Sequence, residues 1–266
     1  MNTVISKDGT KIAYDKVGQG PALILVTGAF SYRKFPATVQ LATLLSDKYT
    51  VYSYDRRGRG DSGDSSAYEV EREIEDLEAV IDAAGGSANV WGLSSGAVLA
   101  VHAAASGLNI TKLALHEPPF VVKSTDRKVP EDFLAQVSGL IAANKRAEAI
   151  KYFMTKGMGA PGFIVTMMRL MPSVWKNLMA VAHTLPYDAA VADGFMEGKP
   201  LPKHLWKSIT LPTLVMEGTE SPIGLRNGAQ SIASVLPNAQ LVSKKGLGHT
   251  KALNAKLIAA ELKAFF

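Results

Sequence analysis

The stretch NVWGLSSGAVLAVHAAA, residues 89–105, decides the fold. A strand-like "NVW" runs into Gly92-Leu93-Ser94-Ser95-Gly96, and an alanine-rich helical pattern follows at once. A G-x-S-x-G pattern between a strand and a helix predicts a sharp turn that holds its central serine proud of the backbone. Gly92 and Gly96 are required sterically, because such a turn leaves no room for Cβ atoms beside the serine. Ser94 is therefore the candidate nucleophile. The backbone N–H of Ser95 is expected to face a developing oxyanion, aided by the helix N-terminus.

Working outward from the elbow, short β-rich runs alternate with helical patterns. "TVIS" and "KIAYDKV" flank an Asp-Gly turn and predict a hairpin rather than a leader segment. "ALILVTG" (22–28) and "TVYSYD" (50–55) read as buried strands, with a helix across "FPATVQLATLLSDKY" between them. "EVEREIEDLEAVIDAAGG" (69–86) predicts an amphipathic helix stopped by Gly85 and Gly86, and its acids are expected on a solvated face. "KLALHEPPF" (112–120), "TLPTLVMEG" (210–218) and "AQLVS" supply further strands. A helix around "GAQSIASVL" and a terminal helix over residues 251–266 complete the pattern.

Between about 120 and 206 the strand rhythm stops. The chain becomes helical and oily there, with seven of its nine methionines. The expected architecture is an α/β core with a mostly parallel central sheet flanked by helices (residues 1–119 and 207–266), interrupted by an inserted helical cap at 120–206.

Composition narrows the function classes. The net charge of +5 arises from 29 basic and 24 acidic residues, scattered along the chain. The one dense basic run, "DRRGRGDSGD", carries acids at both ends and no interleaved aromatics, so no nucleic-acid stripe is expected. The tripeptide Arg59–Asp61 is read as chance. No apolar run reaches the roughly 18–20 residues that span a bilayer, and no membrane partner is expected. The absence of cysteine removes disulfides and thiolate chemistry and fits a cytoplasmic setting. His102, His116, His183 and His204 show no metal-ligand spacing, so neither metal nor cofactor is expected; His183 is a candidate pocket residue.

In this order the motifs resemble the α/β-hydrolase fold superfamily. "LVTGAF" is similar to the family's turn after its third strand, with Thr27 where a histidine is usual. "YDRRGRGDSG" resembles its Asp-x-Arg-Gly-x-Gly-x-Ser turn, "WGLSSG" its nucleophile elbow, "PTLVMEGTESP" its acid-bearing strand end, and "GLGHT" its histidine loop. The resemblance implies that Ser94 attacks, that His249 serves as base and then acid, and that the amides of Ala29 and Ser95 form the oxyanion hole.

One family position is vacated. The register places Ser221 where the triad aspartate belongs, and a hydroxyl cannot stabilise an imidazolium as a carboxylate does. Three readings stay open. Glu117, at the end of the strand after the nucleophile helix, supplies the acid, as in some family members, certain haloalkane dehalogenases among them. Alternatively Glu220, one residue early, reaches in; Glu217 points away by strand alternation. Or no acid exists, and the site binds a ligand or performs non-hydrolytic chemistry.

Methionine adapts its shape, so a Met-rich lid suits an apolar pocket. Phe30, Met154, Met168, Met171 and Tyr187 are the candidate substrate-binding residues. The expected activity is cofactor-independent hydrolysis of an ester-like bond in a small hydrophobic molecule, with Ser94, His249 and Glu117 as the catalytic set. A serine at the elbow argues against epoxide hydrolysis and dehalogenation, which in this fold use an aspartate nucleophile. A lyase or cyclase, or a small-ligand receptor on the same scaffold, is the alternative.

Overall fold

The computed structural model describes residues 1–65, 67–249 and 253–266. Its eight strands are β1 (Asn2–Ile5), β2 (Lys11–Val17), β3 (Ala22–Val26), β4 (Thr50–Tyr54), β5 (Ala88–Leu93), β6 (Ile110–His116), β7 (Thr213–Gly218) and β8 (Ala239–Lys244). They form one sheet in the order β1-β2-β4-β3-β5-β6-β7-β8. The hairpin β1-β2 and the pair β2-β4 are antiparallel, and every later pairing is parallel.

Helices α1 (Pro36–Leu45), α2 (Val70–Ala83) and α3 (Ser95–Ala105) connect the first strands. Between β6 and β7 the regular elements are all helical: α4 (Phe133–Ala142), α5 (Arg146–Tyr152), a π turn Phe153–Gly157, α6 (Gly162–Arg169), α7 (Pro172–Val181), a 3₁₀ turn Ala182–Thr184, α8 (Leu185–Val191) and α9 (Lys203–Trp206). The chain returns to the sheet through β7, α10 (Ile223–Val235) and β8, and ends in α11 (Ala255–Phe265). The terminal helix expected from residue 251 thus begins at Ala255; residues 251 and 252 lie outside the described residues.

Strand alternation divides the apolar interior between the two faces of the sheet. Ile24, Val26, Val90 and Val215 pack with α3 residues Val98 and Leu99. Leu23, Leu25, Trp91, Leu214 and Met216 pack with Leu41 of α1 and Ile258 of α11. Strands buried on both faces read as continuous apolar runs, which is why β3 and β5 were legible in the sequence.

The acids of α2 correct the expectation of a solvated face. Glu71 and Glu78 are exposed, but Glu73 and Asp76 are each 1% exposed. Arg56 makes two 2.6 Å bonds to the Glu73 carboxylate, and Arg57 grips Asp76 at 2.7 and 2.8 Å. The cause lies in the turn after β4, which tucks Arg56, Arg57 and Arg59 into the interior. Buried guanidinium groups need paired acceptors, and the inner edge of α2 supplies two. The densest basic run in the chain is consequently part of the core.

Order along the sheet positions the site. β5, β6 and β7 are neighbours, with Leu93 paired to His116 and His116 to Met216. One residue further on, the amide of Ser94 donates to the His116 carbonyl (2.9 Å), and that of Glu117 to the Met216 carbonyl (3.1 Å). Ser94 and Glu117 therefore leave the sheet side by side at its carboxyl edge. The strand order reverses at β3, the place where open α/β sheets offer a crevice.

Candidate active site

Ser94 occupies the turn between β5 and α3 with φ 54° and ψ −125°, a conformation that L residues adopt only at a cost of order 1–3 kcal/mol. Close packing enforces it. A Cβ on Gly92 would stand 2.5 Å from the Gly96 carbonyl oxygen, and one on Gly96 would collide with the Val26 carbonyl. The elbow is pressed against β3 with no space for side chains.

The turn after β3 runs through Gly28, Ala29 and Phe30, the last with φ 62°. A Cβ on Gly28 would lie 3.0 Å from Ser94 Cβ, so this turn passes directly beside the elbow. The Ser95 amide is the first of α3 and has no partner within the helix.

His249 follows β8, and its ring meets Glu117. Nδ1 of His249 lies 2.5 Å from Glu117 Oε2, and the same oxygen accepts the His249 amide at 3.0 Å. The other carboxylate oxygen accepts the Gly218 amide at 2.9 Å. Glu117 is fully buried and has φ 44°, a strained residue held directly before Pro118. Burial alone would raise its carboxyl. Hydrogen bonding and charge from His249, with the Gly218 amide, outweigh burial and hold it at about 2.

The other carboxylates take no part in this contact. Glu220 is 57% exposed beside Lys245, at 3.9 Å. Glu217 points to the opposite side, accepting from Gln230 at 3.0 Å and Ser243 at 2.8 Å. Ser221, at the vacated family position, is buried behind Gly248 near Glu117.

The candidate pocket residues separate into two groups. Phe30 packs edge-on to Phe153 (5.7 Å), and with Ala29, Met154 and Met168 it joins the apolar cluster of the helical region. Met171 and Tyr187 are placed elsewhere. Met171 is 52% exposed ahead of α7. The Tyr187 ring stacks on Tyr68 at 3.9 Å, while its hydroxyl donates to Asp64 at 2.9 Å.

Sequence reading missed Asp188. This buried α8 residue accepts the Ser95 hydroxyl at 2.7 Å, Arg56 at 2.7 Å and Arg59 at 2.6 Å. Burial would raise its carboxyl, but the charges of Arg59 and Arg56 outweigh that and hold it below the usual range. Nothing in "LPYDAAV" signals a partner 93 residues away.

Among the described residues there is no cluster of His, Cys, Asp and Glu able to hold a metal ion, and no helix long and apolar enough to cross a membrane.

A family model described as the alpha/beta hydrolase family matches residues 23–261. The structure is similar to an alpha/beta hydrolase from Sphaerobacter thermophilus DSM 20745, with 48% identity, TM-score 0.90 and all of both chains covered. The same fold, at 20% identity and TM-score 0.70, occurs in an esterase from Rhodococcus sp. ECU1013, over 99% of this chain and 97% of that one. It recurs at 18% identity and TM-score 0.67 in the enol-lactonase from Burkholderia xenovorans LB400, over 99% of each chain.

Proposed function

The chain belongs to the alpha/beta hydrolase family, and from that premise we propose that it is a cofactor-independent serine hydrolase cleaving an ester-like bond in a small hydrophobic molecule. One observation carries the reading: the buried Glu117 carboxylate lies 2.5 Å from His249 Nδ1, at the sheet edge where Ser94 leaves the adjoining strand. A carboxylate there fixes the ring orientation and tautomer, leaving Nε2 to accept a proton, and stabilises the imidazolium that results.

The steps follow from these groups. Ser94 Oγ attacks the carbonyl carbon while its proton passes to His249 Nε2. The carbonyl π pair moves to oxygen, and the amides of Ala29 and Ser95 receive the charge. Collapse expels the leaving group, which takes the proton from His249. Water then repeats the sequence on the acyl-serine, with His249 again base and then acid. Phe30, Met154 and Met168 supply an apolar wall beside the oxyanion turn and favour a small hydrophobic acyl or alcohol portion.

A fluorophosphonate probe with peptide mass mapping tests this reading. The expected adduct sits on Ser94 and is lost in Ser94→Ala. Absence of labelling, or a label that persists in that variant, would contradict it.

A further inference from the structure

The two turns assigned to the oxyanion are gripped by a buried cluster of four charged residues, one of them from the helical region between β6 and β7. Arg56 and Arg59 face Glu73 and Asp188; all four are at most 2% exposed, and their charges balance. Asp188 is the member contributed by α8. It takes the Ser95 hydroxyl on Oδ1 and Arg59 on Oδ2. Arg59 in turn donates to the Gly28 carbonyl at 2.7 Å and the Ser31 carbonyl at 3.2 Å, bracketing the turn that holds Ala29.

The Gly28 contact has a geometric consequence. The carbonyl of Gly28 and the N–H of Ala29 belong to one planar trans peptide, so they point in opposite directions. An arginine anchoring that oxygen thereby aims the Ala29 amide away from itself. On the second donor, the bond from Ser95 Oγ to Asp188 pins the residue whose amide opens α3. The two donors lie on separate turns after β3 and β5, and Asp188 is joined to both.

We propose that Asp188 is a positioning residue. From α8 it holds the Ala29 and Ser95 amides in register for the transition state, through Arg59 on one side and the Ser95 hydroxyl on the other. The helical region then completes the catalytic geometry as well as supplying apolar wall. This rests on the reading of Ser94 as nucleophile. Donors whose placement matters mainly in the transition state lower kcat when disturbed and leave KM nearly unchanged.

The test is steady-state hydrolysis of a short-chain p-nitrophenyl ester by wild type, Ser94→Ala, Ser95→Ala, Asp188→Asn and Ser95→Ala/Asp188→Asn, with thermal melting of each. Ser95→Ala keeps every backbone donor, and its kcat is expected to fall about 10-fold, with KM within about 2-fold and melting unchanged. Asp188→Asn, which turns an amide N–H towards Arg59 and removes the charge both arms depend on, is expected to lose about 100-fold in kcat. The double variant is expected to lose clearly less than the product of the two single losses, because the Ser95 arm is already disturbed when Asp188 is changed. If Asp188→Asn does not fold, Ser95→Ala decides alone. Wild-type kcat in Ser95→Ala, or losses that multiply in the double variant, would overturn the proposal. Equal rates in wild type and Ser94→Ala would overturn the reading of the site, and the proposal with it.

Discussion

Glu117 reaches His249 from the end of β6, at 2.5 Å, while the strand end that usually bears the acid, on β7, holds Ser221. The exchange is possible because β6 and β7 are adjacent and in register, so their carboxyl ends open on the same space. Two amides, from Gly218 and His249, fix the carboxylate from the β7 and β8 sides. Glu117 thus holds together three segments that are distant in sequence.

That junction makes the fold sensitive to acid in two windows. Burial and the His249 charge push His116 down to about 4 from its ordinary 6.5. The unfolded chain therefore binds a proton near 6.5 that the folded protein refuses, and stability falls as pH drops from 6.5 towards 4. Glu117 is held at about 2 against an ordinary 4.5, so its contribution is present above 4.5 and lost as pH falls towards 2. Urea midpoints measured between pH 7 and 2 should show a reduced upper slope in His116→Gln and a reduced lower slope in Glu117→Gln. Slopes identical to wild type would contradict the assignment.

The acids of α2 should differ sharply in their effect on stability. Glu73→Gln replaces one of the two oxygens that the buried Arg56 grips with an N–H donor and removes the balancing charge, and is expected to destabilise by about 3–5 kcal/mol in urea unfolding. Glu78→Gln, on the exposed side, should stay within about 0.5 kcal/mol of wild type. Equal losses in the two variants would show that the buried pairing carries no weight.

At the elbow, Gly96→Ala forces a methyl into the Val26 carbonyl and within 2.7 Å of that of Thr27. Relief requires α3 to back away from β3, which moves Ser94 and the Ser95 amide together. A loss of several kcal/mol in stability is expected, with activity lost in whatever folds. A fully active, equally stable Gly96→Ala protein would refute this packing.

The sequence made the sheet, the elbow and the histidine loop legible, because each depends on local pattern: apolar runs, paired glycines, a strand followed by a helix. Glu117 could be named as one of three readings, since strand order in this family sets its strand beside the elbow. Only tertiary structure brings its carboxylate to the ring. Polarity pattern failed for Glu73 and Asp76, whose burial is caused by arginines from another segment. It was silent on Asp188 and Ser95, whose contact spans 93 residues. Met171 and Tyr187 were chosen by residue type, and type does not say which neighbours a side chain meets: Met171 precedes α7 and faces outward, and Tyr187 stacks on Tyr68.

The most direct test of the central claim is the kcat of Glu117→Gln against that of Glu220→Gln on a p-nitrophenyl ester. The amide in Glu117→Gln can no longer stabilise a charged His249 ring, and kcat should fall on the order of 10⁴-fold. Glu220→Gln alters an exposed side chain beside Lys245 and should remain within about 2-fold of wild type. The opposite ranking, or a Glu117→Gln enzyme within about 10-fold of wild type, would contradict Glu117 as the acid that orients His249.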